Sequence, residues 1–559
     1  MSDAAPSTQS TRALIGSSIL VAVPGWMRSN VALSSAIAGL GLALTMFRLG
    51  APSLWMDEAF SVELARKPLS TLWLVCSSGG EANMVLYYIM LHGWLNLLSL
   101  IGVPALELEV RLPSALFASA SAVVVFMLGR KYVSQLAGGI AAVLLLLNGF
   151  VLATAQFTRS YSVQLLLVTL SWYALLYALT SDRRVWTWWM GYALLTGASL
   201  YAQLSTVFIV CSQIVFLAVL ALAPTDWRAR ARARMWPAVL SLFAIGILFA
   251  PIALTSQGIS KTGWIPSPTL RDLRALYLVY AFGVPRWEIF GLLLCGATAI
   301  VAAILFLARR RHAAETHPNS EFQPARRYHM SDIVRRPMAM EAVFLLALLC
   351  WLTIPVVAAF IVSQGATRVF STRYLVIIIP ALVLLISLIA MLPRVWFLRV
   401  IFLSAFFIPA VVGAISYYPN AQIEDWRTPA RWIEQHYQPG DGLVTYNNSN
   451  QQGAQFPMQY YLHSDGSQAD LDANTPGVVL WERLPEADPF AHYQDALDPQ
   501  ALSRYAALHH RFFFVAGRLS DADDVAKVQA TINWLNSHYQ LLGQSSDSTA
   551  ATVLLYGAP

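Results

Sequence analysis

Residues 31–61 read VALSSAIAGLGLALTMFRLGAPSLWMDEAFS, and this stretch decides the class of fold. It opens with the uncharged apolar run Val31–Phe47, which is long enough to begin a membrane span. Two adjacent acids, Asp57 and Glu58, follow soon after it, and apolar and aromatic residues surround them on both sides. Because aromatic residues concentrate at the membrane–water interface, we expect the acid pair to lie there.

The composition of the whole chain predicts a membrane protein. The 559 residues are 57% hydrophobic and 12% charged, which is too apolar for a soluble domain and too poor in charge for a disordered chain. Arginines in short connectors supply most of the net charge of +6, and no basic and aromatic array indicates a nucleic-acid partner. The four cysteines are far apart, so they predict neither a disulfide framework nor a zinc site.

About eleven apolar runs can cross a hydrocarbon layer of about 30 Å. The predicted spans are Val31–Phe47, Leu112–Gly129, Leu136–Ala155, Val163–Leu179, Trp186–Gln203, Thr206–Ala223, Pro237–Ser256, Phe290–Ala308, Ala342–Val362, Tyr374–Leu392 and Trp396–Tyr417.

The apolar segment Met84–Leu100 carries His92 and Asn96 and is barely long enough to span. If it crossed, the basic clusters at 130–131, 183–184 and 228–234 would fall outside, against the positive-inside rule. We therefore place it along, or re-entering, the outer face.

This placement divides the chain into three parts. Residues 1–29 are predicted to be a cytoplasmic tail, and residues 30–417 a membrane module whose first external loop covers residues 50–111. From about Pro419 the composition turns polar and apolar runs shorten to strand length, so residues 418–559 are predicted to be a soluble α/β domain on the outer face. Its predicted elements are helices at Arg427–His436 and Asp521–His538 and strands at Gly442–Tyr446, Gly477–Trp481, Phe512–Gly517 and Ala551–Tyr556.

Ionisable residues collect at the outer ends of the spans, where Asp57 and Glu58 are joined by Arg111, Arg159 and Arg373. Transfer of a sugar from a polyprenyl phosphate needs a carboxylate to accept the proton of the acceptor and cations to stabilise the departing phosphate. Arginine suits the second task because its planar fork matches phosphate oxygens. Adjacent carboxylates point in different directions, so we expect Asp57 to be the base and Glu58 to bind acceptor or hold the loop.

The chain resembles the C-type (GT-C) membrane glycosyltransferases, particularly the bacterial branch (glycosyltransferase family 39-like) related to protein O-mannosyltransferases and to the lipid A aminoarabinose transferase. The resemblance covers most of the chain. It rests on the Asp57-Glu58 pair, on NMVLYYIMLHGW at 83–94, and on four short motifs, which are Arg111-Leu112-Pro113-Ser114, Arg159-Ser160-Tyr161-Ser162, Arg373-Tyr374-Leu375 and Asp425-Trp426-Arg427.

The resemblance implies an inverting transfer that needs no metal or other cofactor, from a polyprenyl-phosphate sugar to a glycan, lipid or protein acceptor. It implies that Asp57 is the acid–base residue and that arginines bind the donor phosphate. The candidates are Asp57 and Glu58 for catalysis, Arg111, Arg159 and Arg373 for the donor phosphate, and Glu81, Asn83, Tyr87, Tyr88, Tyr161 and Tyr374 for substrate. Many relatives have Pro-Pro or Lys-Pro-Pro where this chain has Asn83-Met84-Val85, so a phosphate-binding lysine of some relatives has no counterpart here.

Two other classes of function compete with the enzyme. A transporter or flippase of a lipid-linked sugar fits the number of spans, but it predicts inverted repeats and charged or broken helices at the midplane, and neither is evident. A membrane-anchored binding protein would use the outer domain alone. We expect a multi-pass protein of the bacterial cytoplasmic membrane, in contact with membrane lipids, with its site on the periplasmic or extracellular side.

Overall fold

A computed structural model describes residues 30–77, 81–222, 226–255, 262, 265–283, 285–316, 340–393, 395–446, 453–464, 475–478, 494–519, 522–545 and 548–558. The predicted cytoplasmic tail, residues 1–29, lies outside these ranges. The described residues form a helical bundle followed by a small α/β region.

The helices of the bundle begin with α1 (Asn30–Met46), and three helices then fill the predicted first loop. These are α2 (Met56–Arg66), α3 (Leu69–Ser77) and α4 (Val85–Leu100). The next helices are α5 (Glu107–Tyr132), α6 (Gln135–Leu147), α7 (Gly149–Ala155), α8 (Tyr161–Thr180), α9 (Val185–Ala202), α10 (Val207–Leu222), α11 (Asp226–Ala233), α12 (Met235–Thr255), α13 (Leu270–Phe282) and α14 (Pro285–Thr316). The bundle ends with α15 (Met340–Val362), the short α16 (Thr372–Leu375), α17 (Ile379–Met391) and α18 (Trp396–Tyr417).

Each predicted span lies on a helix or on a bent helix pair. Among the described residues, seven helices are long and apolar enough to cross a membrane, and up to nine if each bent pair counts as one span. The chain is therefore built as a multi-pass membrane protein, while the count of eleven stays a prediction.

The predicted span Leu136–Ala155 is two helices, α6 and α7, with a bend of 65° between them. The break falls at Asn148, whose side-chain oxygen accepts the N–H groups of Phe150 and Val151 and so begins a new helix. The Asn148 amide also donates to the carbonyl of Tyr280 in α13. Local capping chemistry therefore divides a segment that hydropathy alone presents as continuous.

The helices α5 and α6 approach closely at Gly129 and Gly138. A Cβ atom on Gly138 would lie 2.5 Å from the carbonyl oxygen of Phe126 and 2.8 Å from the amide nitrogen of Arg130. Small residues allow this approach, and helix association in a membrane depends on such packing contacts because water drives it little there.

The C-terminal region contains a four-stranded sheet in the order β1-β2-β4-β3. Its strands are β1 (Gly442–Thr445), β2 (Arg511–Gly517), β3 (Gln540–Ser545) and β4 (Ala551–Gly557), and its helices are α19 (Arg427–His436), α20 (Gln455–Ser464), α21 (Pro499–Ala506) and α22 (Ala522–His538). The strand β1 runs parallel to β2, and the other pairs are antiparallel.

Three predicted strands and both predicted helices of this region have observed counterparts, but β3 was missed, and the described part of the predicted strand Gly477–Trp481 is a turn. The pattern of β3 explains the miss, because most of its residues are exposed and it shows no apolar alternation.

The strands β1, β2 and β4 are buried on both faces, and successive side chains along them alternate between the two faces. One face carries Val444, Phe514 and Leu554, which pack with α21 and α22. The other face carries Phe513 and Val553, which belong to one apolar core together with α2, α4, α19 and α20. The C-terminal region is therefore packed directly against the loop that carries the acid pair.

Replacing Gly138 by alanine is expected to lower the free energy of unfolding by about 1–3 kcal/mol, because the methyl group overpacks the contact between α5 and α6. The neighbouring Gly139 is a matched control, since a Cβ atom there meets nothing within 4 Å. Gly139→Ala should be neutral or stabilising by about 0.5–1 kcal/mol through helix propensity. Unfolding of the two variants by SDS titration in mixed micelles measures the difference, and equal stabilities would contradict the close approach.

Candidate active site

The centre of the site is a buried ion pair between Glu58 of α2 and Arg111 of α5. The Nε and Nη2 atoms of Arg111 donate to the two carboxylate oxygens of Glu58, at 2.9 and 2.6 Å. The Glu58 side chain is 0% exposed and that of Arg111 is 3% exposed. The Glu58 carboxylate also accepts the backbone N–H groups of Thr158, at 2.7 Å, and Trp55, at 3.3 Å. Glu58 therefore ties together the first loop, α5 and the turn before α8.

The guanidinium of Arg111 is fully engaged by the protein. Besides Glu58, it donates to the backbone carbonyls of Leu49, Pro52 and Ser53, at 3.0, 2.7 and 3.0 Å. All five N–H donors of an arginine are thereby used. This differs from our prediction that Arg111 binds the donor phosphate, because its hydrogen bonds hold the loop and the acid pair.

Both ends of the predicted first loop, residues 50–111, meet at this ion pair. The loop therefore leaves and rejoins the helical bundle at the same end, while the placement of residues 84–100 along or re-entering the outer face stays a prediction. Helix α4 has only 16 residues and packs on α2, α3 and α9.

Asp57 occupies a different environment from its neighbour. It lies in the first turn of α2, and its side chain is 26% exposed. The Nη2 atom of Arg159 lies 3.9 Å from a carboxylate oxygen of Asp57, and Nη1 donates to the Asp57 carbonyl and to the Ser61 hydroxyl. Asp57 is thus the solvent-accessible acid of the pair.

Arg159 keeps its charge although it is buried. Burial alone would lower the pKa of Arg159, but the carboxylate of Asp57 and nearby tyrosines raise it above its ordinary value. Its side chain remains 14% exposed, and its Nε atom has no hydrogen-bond partner among the described residues. Arg159 therefore has an N–H group without a partner among the described residues, unlike Arg111.

Arg373 and two tyrosines approach the same place from other parts of the chain. The guanidinium carbon of Arg373 lies 4.7 Å from the ring centroid of Trp55, two residues before Asp57. Tyr161 and Tyr374 lie with their rings 6.4 Å apart. The motifs at 159–162 and 373–375 thus converge, as their shared position at span ends suggested.

The remaining predicted substrate residues lie on and just before α4. The hydroxyl of Tyr88 donates to Glu81, at 3.2 Å. Burial raises the pKa of Tyr88 well above its usual value, and the Glu81 carboxylate adds to this, so the hydroxyl keeps its proton. The side-chain oxygen of Asn83 accepts the N–H of Leu204, so in this structure Asn83 joins the turn before α4 to the turn between α9 and α10.

Buried polar atoms with no hydrogen-bond partner among the described residues surround the acid pair. Such atoms are costly to bury unless something satisfies them, and a binding site is one setting in which a ligand does so. They belong to Trp55 (Nε1), Thr158 (Oγ1) and Arg159 (Nε). The buried hydroxyls of Tyr87 and Ser114 lie against each other in the same region. Within the described ranges, no group of three or more His, Cys, Asp or Glu is arranged to hold a metal ion.

Sequence reasoning missed a second group of residues that contact this loop. Glu424 accepts the N–H of Met56 at 3.0 Å, and Tyr461 accepts the N–H of Leu54 at 2.7 Å. Glu107 forms an ion pair with Arg427 at 2.6 Å. The motif Asp425-Trp426-Arg427 was the sequence signal beside them, but its partners lie more than 300 residues away in the chain.

Comparison with solved structures identifies the fold. The crystal structure of ArnT from Cupriavidus metallidurans in the apo state matches over 94% of this chain and 97% of that chain, with a TM-score of 0.54 and 12% identity. The crystal structure of ArnT from the same organism bound to undecaprenyl phosphate matches over the same shares, with a TM-score of 0.52 and 12% identity. The Archaeoglobus fulgidus oligosaccharyltransferase in complex with Zn and sulfate matches over 94% of this chain and 73% of that chain, with a TM-score of 0.45 and 12% identity.

No protein-family model and no curated protein matches the sequence. The likeness to ArnT extends over nearly the whole of both chains, and at this identity it concerns the fold. The chain is a multi-pass membrane protein with the GT-C fold, as its sequence motifs predicted.

Replacing Glu58 by glutamine is expected to lower the free energy of unfolding by about 3–5 kcal/mol, because it leaves the Arg111 charge buried without its counter-ion. Asp182 provides a matched control, since it is 77% exposed and pairs with Arg230 and Arg234. Asp182→Asn should cost less than about 1 kcal/mol. The measurement is unfolding of both variants in mixed micelles. A loss of stability in Glu58→Gln as small as the loss in Asp182→Asn would show that the buried pair is dispensable for the fold.

Proposed function

We propose that this protein transfers a sugar from a polyprenyl-phosphate donor to an acceptor hydroxyl or amine, with Asp57 as the general base. The single observation that carries the proposal is the division of the acid pair. The carboxylate of Glu58 is fully paired with Arg111 in a buried ion pair. The carboxylate of Asp57 is partly exposed and lies beside the mostly buried guanidinium of Arg159. A base and a phosphate-binding cation thus lie together in one site.

The reaction can be written as a single displacement. A carboxylate oxygen of Asp57 takes the proton of the acceptor O–H or N–H, and the acceptor atom forms a bond to the anomeric carbon. The bond between that carbon and the phosphate oxygen breaks, and its electron pair leaves with the polyprenyl phosphate. Attack from the face opposite the phosphate inverts the anomeric configuration.

Arg159 and Arg373 are the proposed partners of the phosphate. An arginine beside the leaving group stabilises the charge that develops on it as the bond breaks. Arg159 supports this role with a donor that has no partner among the described residues. Arg111 was proposed for the same role from sequence, but the structure gives all of its donors to the protein, so we now assign it to positioning Glu58 and the loop.

The tyrosines and Glu81 are the proposed contacts of the sugar and the acceptor. The indole N–H of Trp55 has no partner among the described residues and offers a hydrogen bond to a sugar hydroxyl. Tyr87, whose hydroxyl lies against Ser114, and the rings of Tyr161 and Tyr374 offer apolar faces. Tyr88 orients Glu81 for the acceptor. The proposal does not extend to the identity of the sugar or the acceptor.

The position of the charged residues supports this proposal over a transporter. A transporter also predicts broken helices, and the bend of 65° between α6 and α7 is such a break, but neither of these two helices carries a charged residue. ArnT, which has the same fold, is bound to undecaprenyl phosphate in one crystal structure. In the seven long apolar helices, all charged residues among the described positions fall in the first or last two turns. Ion-coupled transport places such residues at the midplane instead. The positive-inside argument supports a reaction at the outer face of the cytoplasmic membrane.

Asp57→Asn is expected to lower kcat by about 10²- to 10⁴-fold, because the amide cannot accept the acceptor proton. The assay follows sugar transfer in membranes that are supplied with polyprenyl-phosphate sugar, at matched protein level. Asp182→Asn serves as the control and should keep wild-type activity. A fully active Asp57→Asn variant would refute the assignment of the base.

Arg159→Gln is expected to lower kcat by about 10²- to 10³-fold, because it removes a donor that stabilises the leaving phosphate. Arg159→Lys keeps the charge but not the planar fork, so it should fall between the wild type and the glutamine variant. Arg66, which pairs with Glu63 on α2, provides an arginine control. Equal losses in Arg159→Gln and Arg66→Gln would argue against a contact with phosphate.

A further inference from the structure

The segment that leads from α18 into the C-terminal sheet, residues 418–427, contacts the loop that carries Asp57. We call it the entry segment. Its side chains at Gln422, Glu424 and Arg427 reach residues 50–56, which lie more than 360 positions earlier in the chain.

Glu424 caps the helix on which Asp57 lies. Met56 is the first residue of α2, and its N–H is one of the helix-end donors that have no partner within a helix. The Oε2 atom of Glu424 accepts this N–H at 3.0 Å and also accepts the indole N–H of Trp426 at 2.7 Å. Its other oxygen lies 3.3 Å from the Nε atom of Arg518. A carboxylate in this position also complements the positive end of the helix dipole.

The side chain of Arg427 binds backbone carbonyl groups of the loop before α2. It donates to the carbonyls of Gly50 and Ala51, both at 3.2 Å, while Glu107 of α5 orients its guanidinium. Arg111 takes the carbonyls of residues 49, 52 and 53. Two arginines from opposite sides therefore bind five consecutive carbonyl groups, residues 49–53.

Ser53 joins the entry segment to the same loop at a buried position. Its hydroxyl accepts the backbone N–H groups of Trp426 and Arg427, at 3.1 and 3.2 Å. Its own N–H donates to Gln422 at 2.9 Å. Tyr461 of α20 contacts the Ser53 hydroxyl at 2.9 Å and donates to Glu107 at 3.0 Å. The loop before α2 and the entry segment are thus joined by hydrogen bonds that each of them both donates and accepts.

We propose that the entry segment is part of the machinery of sugar transfer, with Glu424 and Arg427 as positioning residues that hold the start of α2 and thereby the carboxylate of Asp57. This inference rests on the proposed role of Asp57. Both residues bind protein groups of the loop and of α2, so both act through the geometry of the base. The C-terminal region is then an integral component of the active site.

The kinetic consequence is a loss in turnover without a loss in binding. A displacement of about 1 Å at a reacting group costs on the order of 10²-fold in rate, so Glu424→Ala should lower kcat by about 10- to 100-fold. The dissociation constant for undecaprenyl phosphate, used as the binding probe, should stay at the wild-type value. Glu424→Gln keeps an oxygen that can accept the Met56 N–H, so it should restore most of the turnover.

The test uses the full-length protein and has two independent measurements. Hydrogen exchange of the amides at residues 56–60 reports directly on the cap, and kcat with an undecaprenyl-phosphate-linked sugar reports on the base. Asp441→Asn is the matched control, because Asp441 is an acid of the same region that pairs with Arg511. Arg427→Lys is a second variant in case Glu424→Ala unfolds. It keeps the pair with Glu107 but loses the fork that binds two carbonyls.

Faster exchange at residues 56–60 together with lower kcat in Glu424→Ala or Arg427→Lys, recovered in Glu424→Gln and absent in Asp441→Asn, would support the inference. Wild-type kcat in both Glu424→Ala and Arg427→Lys would overturn it, whatever the exchange rates. So would a weaker affinity for undecaprenyl phosphate that accounts for the whole loss of activity. A wild-type protein that transfers no sugar would contradict the proposed function, and the exchange measurement would still decide whether Glu424 caps α2.

Discussion

The buried pair between Glu58 and Arg111 is the constraint on which the rest of the site depends. Two charges removed from water must satisfy each other and their remaining hydrogen bonds, so the geometry around them has little freedom. Here the carboxylate lies on α2, the guanidinium on α5, and the additional N–H donor on the turn before α8. Three separate parts of the chain are fixed relative to one another by a single ion pair. The ion pair also fixes the position of Asp57, because Asp57 is next to Glu58 in the first turn of α2.

The two adjacent acids, Asp57 and Glu58, lie in opposite environments. Successive residues of a helix point about 100° apart, so only one of two adjacent carboxylates can face the interior pair. Glu58 takes that direction and becomes a structural counter-ion. Asp57 is left at the boundary with solvent, beside Arg159. Within the pair, Glu58 therefore has a structural role, and only Asp57 is available for chemistry.

Much of this fold could be predicted from the sequence because hydropathy and charge are local properties. The apolar runs and three strands of the C-terminal sheet were visible in short windows. The break at Asn148 was not, because it depends on one side chain capping a helix within an apolar run. The role of Arg111 was also hidden, since the same motif fits a phosphate ligand and an internal counter-ion. The contacts of Glu424 and Tyr461 join residues hundreds of positions apart, and no local pattern contains that information.

The carbonyl groups of residues 49–53 are held by Arg111 and Arg427 without any use of the side chains between them. Recognition of a backbone does not depend on which amino acid carries it. Residues 49–52 are therefore free to vary in composition wherever their own packing allows. Ser53, whose hydroxyl binds the entry segment, and the two arginines have no equivalent substitute. In proteins of this fold that use the same contacts, we expect the loop to differ in sequence more than the two distant arginines that bind it. Two such chains could look unrelated around the acid pair and still present the carboxylate in the same place.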